Sequence, residues 1–472
     1  MADIDTENLG NPGDVSIDEL FLTLHDGTDI DILNFMVQFD LYEDIWNTHM
    51  HGSIVIADGQ NLIEKAPIMG GEGVTFKIRN KTFEDEPFNV IDKTMQVYAI
   101  EQRQLNNDRE QFYSLKFISI EAIQDQTISI SKRFKGNSAD IVAEIYEDYI
   151  VEYRRSGEPK GKSDLIIGDT PHTTTLNYLS NFWTPAQNLV YIAKYAKGST
   201  KTGADFIYYE SNKNFYFTSL QQLIGSQKDQ LFDEYIYAPP GLDVPHREGG
   251  GEYIGIKLPK NFVSIEAIEI PRTIDILDGN QTGYYSQTVR AYDLYAKEKI
   301  LQYIDVRDDF EAFEHTDPGI PVPSGIQRNP YAMTTIKVLN SFNNAVAPQG
   351  IGPRGNNNEN IVAASLYRDN YFNSFKDYTF EIDVPGRTDI EVGRMIKMIY
   401  PAATTHLEDS TYEDLVDETL SGNYLITAIR HKIDTVGYTM KMEIVKNGLA
   451  KSLGPKDNVN ANLEGGADED DF

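Results

Sequence analysis

With 472 residues, 40% hydrophobic and 11% aromatic, the chain is long and apolar enough for two to four domains with their own cores, and too apolar for a disordered polymer. Its 42 basic against 73 acidic residues give a formal charge of −31, which argues against stable nucleic-acid binding yet suits a surface that DNA slides past. Cysteine is absent, excluding thiol catalysis, disulfides and Cys-type zinc sites; no run approaches the roughly 20 apolar residues of a membrane span, and MADIDTENLGNPGD lacks the regions of a signal peptide, so the chain reads as soluble and assembled in a cytoplasm.

Residues 1–16 read as a polar N-terminal arm. A β-rich region follows. The safest strand in it alternates Val74, Phe76 and Ile78 with Thr75, Lys77 and Arg79, and Asn106, Asn107 and Asp108 turn a long hairpin. Helical signals concentrate between residues 137 and 198. In SADIVAEIYEDYI, Ser138 is the expected N-cap, with Ile141, Ile145 and Tyr149 on one face. In TPAQNLVYIAKYAKG, Thr184 is the N-cap, Pro185 the first residue and Gln187 the partner in a capping box; Leu189, Ile192, Ala193 and Ala196 form the stripe, and Gly198 stops it. DLYAKEKILQYI (293–304) fits helix or strand equally. Two loops interrupt the second half: the Gly-, Pro- and Asn-rich 343–360 and the acidic 405–423. Two alternating strands, at Tyr378, Phe380, Ile382, Val384 and at Tyr438, Met440, Met442, Ile444, complete the folded part, with Asp434 to Gly437 turning the second hairpin. Residues 451–472 form an acidic tail.

No group of residues earns a catalytic, cofactor-binding or metal-ligating role. Gly70, Gly71 and Gly73 suggest a phosphate loop, but Glu72 places a negative charge among them and a strand, not a helix, follows. His49 and His51 fall on one side of an expected strand without a third ligand. Glu43 and Asp58 are one of many carboxylate pairs that could be drawn. Asp26 to Asp31 and Asp275 to Gly279 miss the spacing of a calcium loop and read as turns.

The most informative pattern is a weak internal repeat. GSIVIADGQNLIEKAPIMGGEGVTFKI followed by MQVYAIEQRQLNNDREQFYSLKFISI matches YTFEIDVPGRTDIEVGRMIKMIY followed by NYLITAIRHKIDTVGYTMKMEIV. Each copy runs strand, turn, glycine, strand, loop and long hairpin, and Gly70 to Gly73 correspond to Gly393. The pattern implies two similar antiparallel barrels or sandwiches in one polypeptide, with an α+β insert between β-rich regions.

Three segments also carry a resemblance to a known family. FDLYEDIWNTHMHGSIVIADGQNLIEKAPIMGGEGVTFKI (39–78), SKRFKGNSADIV (131–142) with NFWTPAQNLVYIAKYA (181–196), and SGNYLITAIRHKI (421–433) with KMEIVKNGL (441–449) resemble the baseplate central-hub protein of contractile-tailed, T-even-type phages. In the first, the matching residues are Tyr42, Glu43 and Asp44, Gly52 to Ile54, Asp58 with Gly59, and Pro67, Ile68 and Gly70 to Glu72. The loops at 343–360 and 405–423 and the acidic tail depart from that pattern.

The resemblance implies a structural, non-enzymatic subunit whose two tail-tube-like β-barrels, three chains together, form a pseudo-sixfold ring around a DNA channel. Its implied partners are two further copies of itself, a trimeric spike protein, a hexameric tail tube or tube-initiator protein, baseplate wedge proteins and the tape-measure protein. DNA is a transient cargo, and the place is the tail baseplate of a virion. The expected layout is a first barrel at 17–125, an insert at 126–200 and 236–359, and a second barrel at 201–235 and 360–450. Two alternatives are a tail-associated peptidoglycan-degrading enzyme, for which no motif speaks, and the hub portion of a type VI-like injection system, whose spike residues 451–472 do not supply.

Overall fold

The computed structural model describes residues 12–451 apart from 67, 82–89, 108–109, 152–162, 169–174, 199–202, 229, 231–232, 238–251, 254–255, 258–261, 294–296, 324–332, 340–356 and 403–415. The arm as far as residue 11, the tail beyond residue 451, Pro67, Asp108 and most of the loops at 343–360 and 405–423 thus lie outside the described residues.

The first β-rich region supplies β1 (Val15–Thr23), β2 (Asp29–Asp31), β3 (Met36–Asp44), β4 (His51–Asp58), β5 (Gly73–Asn80), β6 (Val90–Asn107) and β7 (Glu110–Ser119), with the single turn α1 (Leu62–Lys65) between β4 and β5. Period-two alternation decides which side chains enter the core. On β5, Val74, Phe76 and Ile78 are buried, and the rings of Phe39, Phe76 and Phe117 from three strands meet beneath the sheet. After α2 (Ile120–Thr127) the chain leaves this sheet.

The middle of the chain contains β8 (Arg133–Asn137), α3 (Ser138–Ile145), β9 (Leu165–Ile167), β10 (Thr175–Leu179), α4 (Pro185–Tyr195), β11 (Phe206–Glu210), β12 (Phe215–Ser219) and α5 (Leu220–Gly225). The cap of α3 is Asn137, whose side chain accepts from the Asp140 amide, rather than Ser138, which is the first helical residue. Both serine and asparagine are good caps, and one residue of phase decides between them. The α4 cap is as expected: Thr184 and Gln187 complete the capping box, and the helix ends at Tyr195, short of Gly198. β8 pairs with β10, β12 pairs with β9 and β11, and Phe134, Ile141, Tyr178, Leu189, Phe206 and Phe217 belong to one small core beneath them.

Next come β13 (Glu234–Tyr237), the two-residue strands β14 (Glu252–Tyr253) and β15 (Ile256–Lys257), β16 (Ser264–Ile265), β17 (Ala267–Arg272), α6 (Ile276–Thr282), β18 (Ser286–Asp293), β19 (Glu298–Asp305), α7 (Val306–Asp309), β20 (Met333–Leu339) and α8 (Asn357–Asn373). The ambiguous segment 293–304 ends β18 and makes up most of β19. β19, β18 and β20 form a separate sheet that contacts α8.

The chain then adds β21 (Tyr378–Pro385), β22 (Met395–Ile399), β23 (Gly422–Asp434) and β24 (Tyr438–Lys446). These four pair in the order β21-β24-β23-β22, which repeats β4-β7-β6-β5. The equivalence extends to single residues. β6 carries a bulge between Val97 and Ala99, and β23 carries one between Ile426 and Ala428. Opposite the first bulge the Gly71 amide donates to Val97 (2.7 Å) and the Val97 amide returns to Glu72 (2.8 Å); opposite the second, Gly393 donates to Ile426 and Ile426 to Arg394, both at 2.9 Å. Gly71 has φ 93° and Gly393 φ 84°, a backbone that favours glycine. The counterpart of Gly393 is therefore Gly71.

Outside these units the copies differ, because β1 packs antiparallel on β5 whereas β13 runs parallel to β22. Residues 428–434 of β23 also pair with residues 38–44 of β3 and so fuse the copies into one 14-stranded sheet. The fold is mainly β with helices set around this mixed sheet. Among the described residues no pairing closes it on itself, so two copies of one strand order stand where two closed barrels were expected.

Candidate functional site: the seam between the two copies

The glycine-rich turn holds an anion of its own. Glu72 is buried, and its carboxylate accepts from the Met69 amide (2.7 Å) and from the Gly70 amide (2.9 Å). Backbone amides converging in this way make an anion-binding nest, and the glutamate that would repel a phosphate already fills it.

The other candidates are dispersed. His51 stands on β4 and stacks on Tyr42 with ring centroids 5.0 Å apart, whereas His49 lies in the preceding loop, edge-on to Phe215. They do not share a strand face, because β4 begins only at His51. Asp26 accepts from the Thr28 amide in a tight turn, and Asp275 caps α6 by accepting from the amides of Leu277 and Asp278. Asp58 accepts from the Gln60 amide and from Gln111. Glu43 points elsewhere, into the seam. Among the described residues no cluster of three or more metal-ligating side chains occurs.

At the seam β3 and β23 each turn one ionisable residue inward among apolar neighbours: Glu43 after Phe39 and Leu41, and His431 between Ile429 and Ile433. Burial of either alone would be costly. They meet instead, with His431 Nε2 2.7 Å from Glu43 Oε1, while Glu43 Oε2 accepts from the Asn212 amide at 2.9 Å. The other ring nitrogen of His431 lies 2.7 Å from the hydroxyl of Tyr438, which donates to the Arg387 carbonyl at 3.0 Å.

Arg387 is fully buried and continues the chain of contacts. It grips Asp389 with two parallel bonds, of 3.1 and 2.7 Å, and its third nitrogen lies 3.1 Å from Asp233. Burial by itself would lower the guanidinium's pKa; Asp389 and Asp233 override that and raise it well above its usual value. Burial likewise pushes Asp389 up, but Arg387 wins and holds the carboxyl below its ordinary range. On the opposite side of the same strands Arg430 bridges to the buried Asp40 at 2.9 Å.

A carboxylate, imidazole and hydroxyl in line invite an acid–base reading. The geometry opposes it: Glu43, His431 and Tyr438 are each at most 1% exposed, and every polar atom in the line faces another protein group. What this arrangement does is fix the register of β3 against β23. Neither histidine nor glutamate was identifiable as functional from spacing. The available signal was a charged residue at an inward position of each alternating strand.

No family model matches the chain, and no curated protein matches it by sequence. Solved structures do. The chain is similar to the 43 kDa tail protein of prophage MuSo2 from Shewanella oneidensis, at 11% identity and a TM-score of 0.52, over 91% of this chain and 99% of that one. It is similar to the tail protein from Neisseria meningitidis MC58 at 9% identity and a TM-score of 0.50, over 93% and 99%. At this level of identity the likeness speaks for the fold, and over nearly its whole length this chain has the fold of phage tail proteins.

Proposed function

We propose that the chain is a non-enzymatic hub subunit of a phage tail baseplate. Three copies form a pseudo-sixfold ring that joins the hexameric tail tube to the trimeric spike and encloses the DNA channel. The observation that carries this reading is the duplicated strand order with its matched bulges and its Gly71–Gly393 pair. A chain with two quasi-equivalent units, repeated three times, presents six similar elements to a hexamer on one side while remaining trimeric for a partner on the other.

The likeness to phage tail proteins supports the setting. The charge of −31 suits a channel that DNA traverses without sticking. On this reading the two units occupy the barrel positions, 17–125 and 201–235 with 360–450, and the insert spans 126–200 and 236–359. Further neighbours are the tube-initiator, wedge and tape-measure proteins. Native mass spectrometry and negative-stain imaging of the purified chain test the proposal. A trimer seen as a three-lobed ring with a central hole is expected; an obligate monomer, alone and beside its spike partner, would refute it.

A further inference from the structure

The two copies of the strand unit end differently at their flanks. In the second copy the C-terminal half of β23 is covered on both edges, by β24 and by β3. In the first copy the corresponding half of β6 pairs with β7 alone among the described residues, and Leu105 is 78% exposed there. The reverse holds one strand further out. β3, which lies outside β4, has β23 on its other edge, while β17, which lies outside β21, has no second partner among the described residues. Among the described residues, each chain therefore carries one completed seam and the two separate halves of another.

The registers show which residues correspond. Leu105 opposes Gln111 as Ile433 opposes Tyr438, Gln104 opposes Phe112 as Lys432 opposes Thr439, and Glu101 opposes Ser114 as Arg430 opposes Lys441. On the other side Phe39 opposes Ile54 as Ile268 opposes Ile382, Asp40 opposes Ser53 as Glu269 opposes Glu381, and Tyr42 opposes His51 as Arg272 opposes Thr379. The completed seam aligns Ile433 with Phe39, Lys432 with Asp40 and Arg430 with Tyr42. Transferred to the open halves, the same register sets Leu105 against Ile268, Gln104 against Glu269, and Glu101 against Arg272.

The chemistry of the two open strands is complementary. Leu105 takes the place of Ile433, which is buried against Phe39, and Ile268 is a half-buried apolar residue awaiting cover. Glu101 is set against Arg272, which within its own chain also bridges to Asp275 at 3.3 Å, so charges of opposite sign meet across the pair as Arg430 and Asp40 do within the chain. In a molecule of formal charge −31, which repels its own copies, such local pairing and a run of backbone hydrogen bonds are what association needs.

We propose that β6 of one chain and β17 of a second copy pair antiparallel in this register, so that the seam seen inside the chain recurs between chains. The interface is head-to-tail, as a ring requires. This rests on the ring described under Proposed function and adds the strands and register that close it.

Engineered disulfides read the register without interference, since the chain has no cysteine. In the double variant Leu105→Cys/Ile268→Cys, mild oxidation is expected to yield a closed covalent trimer on a non-reducing gel; Leu105→Cys/Arg272→Cys, whose positions lie four residues out of register in this alignment, should stay uncrosslinked. Charge reversal gives a second readout. Glu101→Arg and Arg272→Glu should each weaken association about tenfold or more, and the combination should restore it. A trimer that neither crosslinks in register nor responds to charge reversal overturns the pairing and leaves the ring standing. A chain monomeric at every concentration overturns both.

Discussion

Replacing Gly71 and Gly393 by alanine probes one backbone position in two surroundings. Both glycines have a left-handed φ, 93° and 84°, so alanine at either meets the same strain, about 1–2 kcal/mol. The neighbours then separate them. A Cβ on Gly71 would come 3.1 Å from the His25 ring, whose side chain is 55% exposed and can yield. A Cβ on Gly393 would come 2.6 Å from the hydroxyl of Tyr209, which is 1% exposed and stacked on Tyr216 at 5.2 Å, so overpacking adds about 1–3 kcal/mol. Gly71→Ala should therefore lower stability by about 1–2 kcal/mol and Gly393→Ala by about 2–5 kcal/mol. Tyr209→Phe deletes the clashing oxygen, and combined with Gly393→Ala should bring the loss back to that of Gly71→Ala. Urea unfolding followed by circular dichroism in the β-sheet band measures all four proteins. Equal losses at the two glycines, or no recovery with Tyr209→Phe, would refute the reasoning.

Three further outcomes are expected. Arg387→Met leaves the buried Asp233 and Asp389 with the longer contacts of Arg394, 3.7 and 3.9 Å, and should cost up to about 3–5 kcal/mol in the same unfolding assay, whereas a loss below about 1 kcal/mol would show that the buried pairs contribute little. Lys446 is buried beside the rings of Tyr378 and Tyr424, and burial lowers its pKa to about 8 against attraction from Asp317 and Asp417. Below pH 8 the fold bears a buried cation, and between pH 8 and 10.5 the unfolded chain holds more protons than the folded one. Stability should thus climb as pH rises from about 8 to 10, and Lys446→Met should flatten that climb in pH-dependent melting; an unchanged slope would count against it. Glu72→Gln takes the charge out of the nest. It should speed amide exchange at Met69 and Gly70, and unaltered exchange would mean that the carboxylate does not hold the turn.

Local pattern was legible where one residue's neighbours in sequence are also its neighbours in space. Alternation at Val74, Phe76 and Ile78 placed a strand and its buried face, and the Thr184–Gln187 box placed a helix start, because both depend on a few consecutive residues. The repeat was legible for the same reason, since each copy folds on itself through hairpins. The seam was not. Glu43 and His431 are 388 positions apart, and Glu43 looked like one carboxylate among 73 acidic residues until β3 and β23 were seen to be adjacent. Continuity of the sheet was hidden likewise, because a strand with two good edges gives no sign of which distant strand will take the second.

The pairing of β3 with β23 also sets a schedule for folding. At roughly 5–20 residues per second, the 388 positions from Glu43 to His431 take about 20–80 s to synthesise. Through that interval β3 presents an unpaired edge bearing a carboxylate destined for the interior. Closing so long a loop makes this contact among the slowest to form, and every nascent chain passes through a stage at which its edge is open to the wrong strand. The inward-pointing Glu43 that later locks the seam is, during that stage, the charge that discourages such pairing.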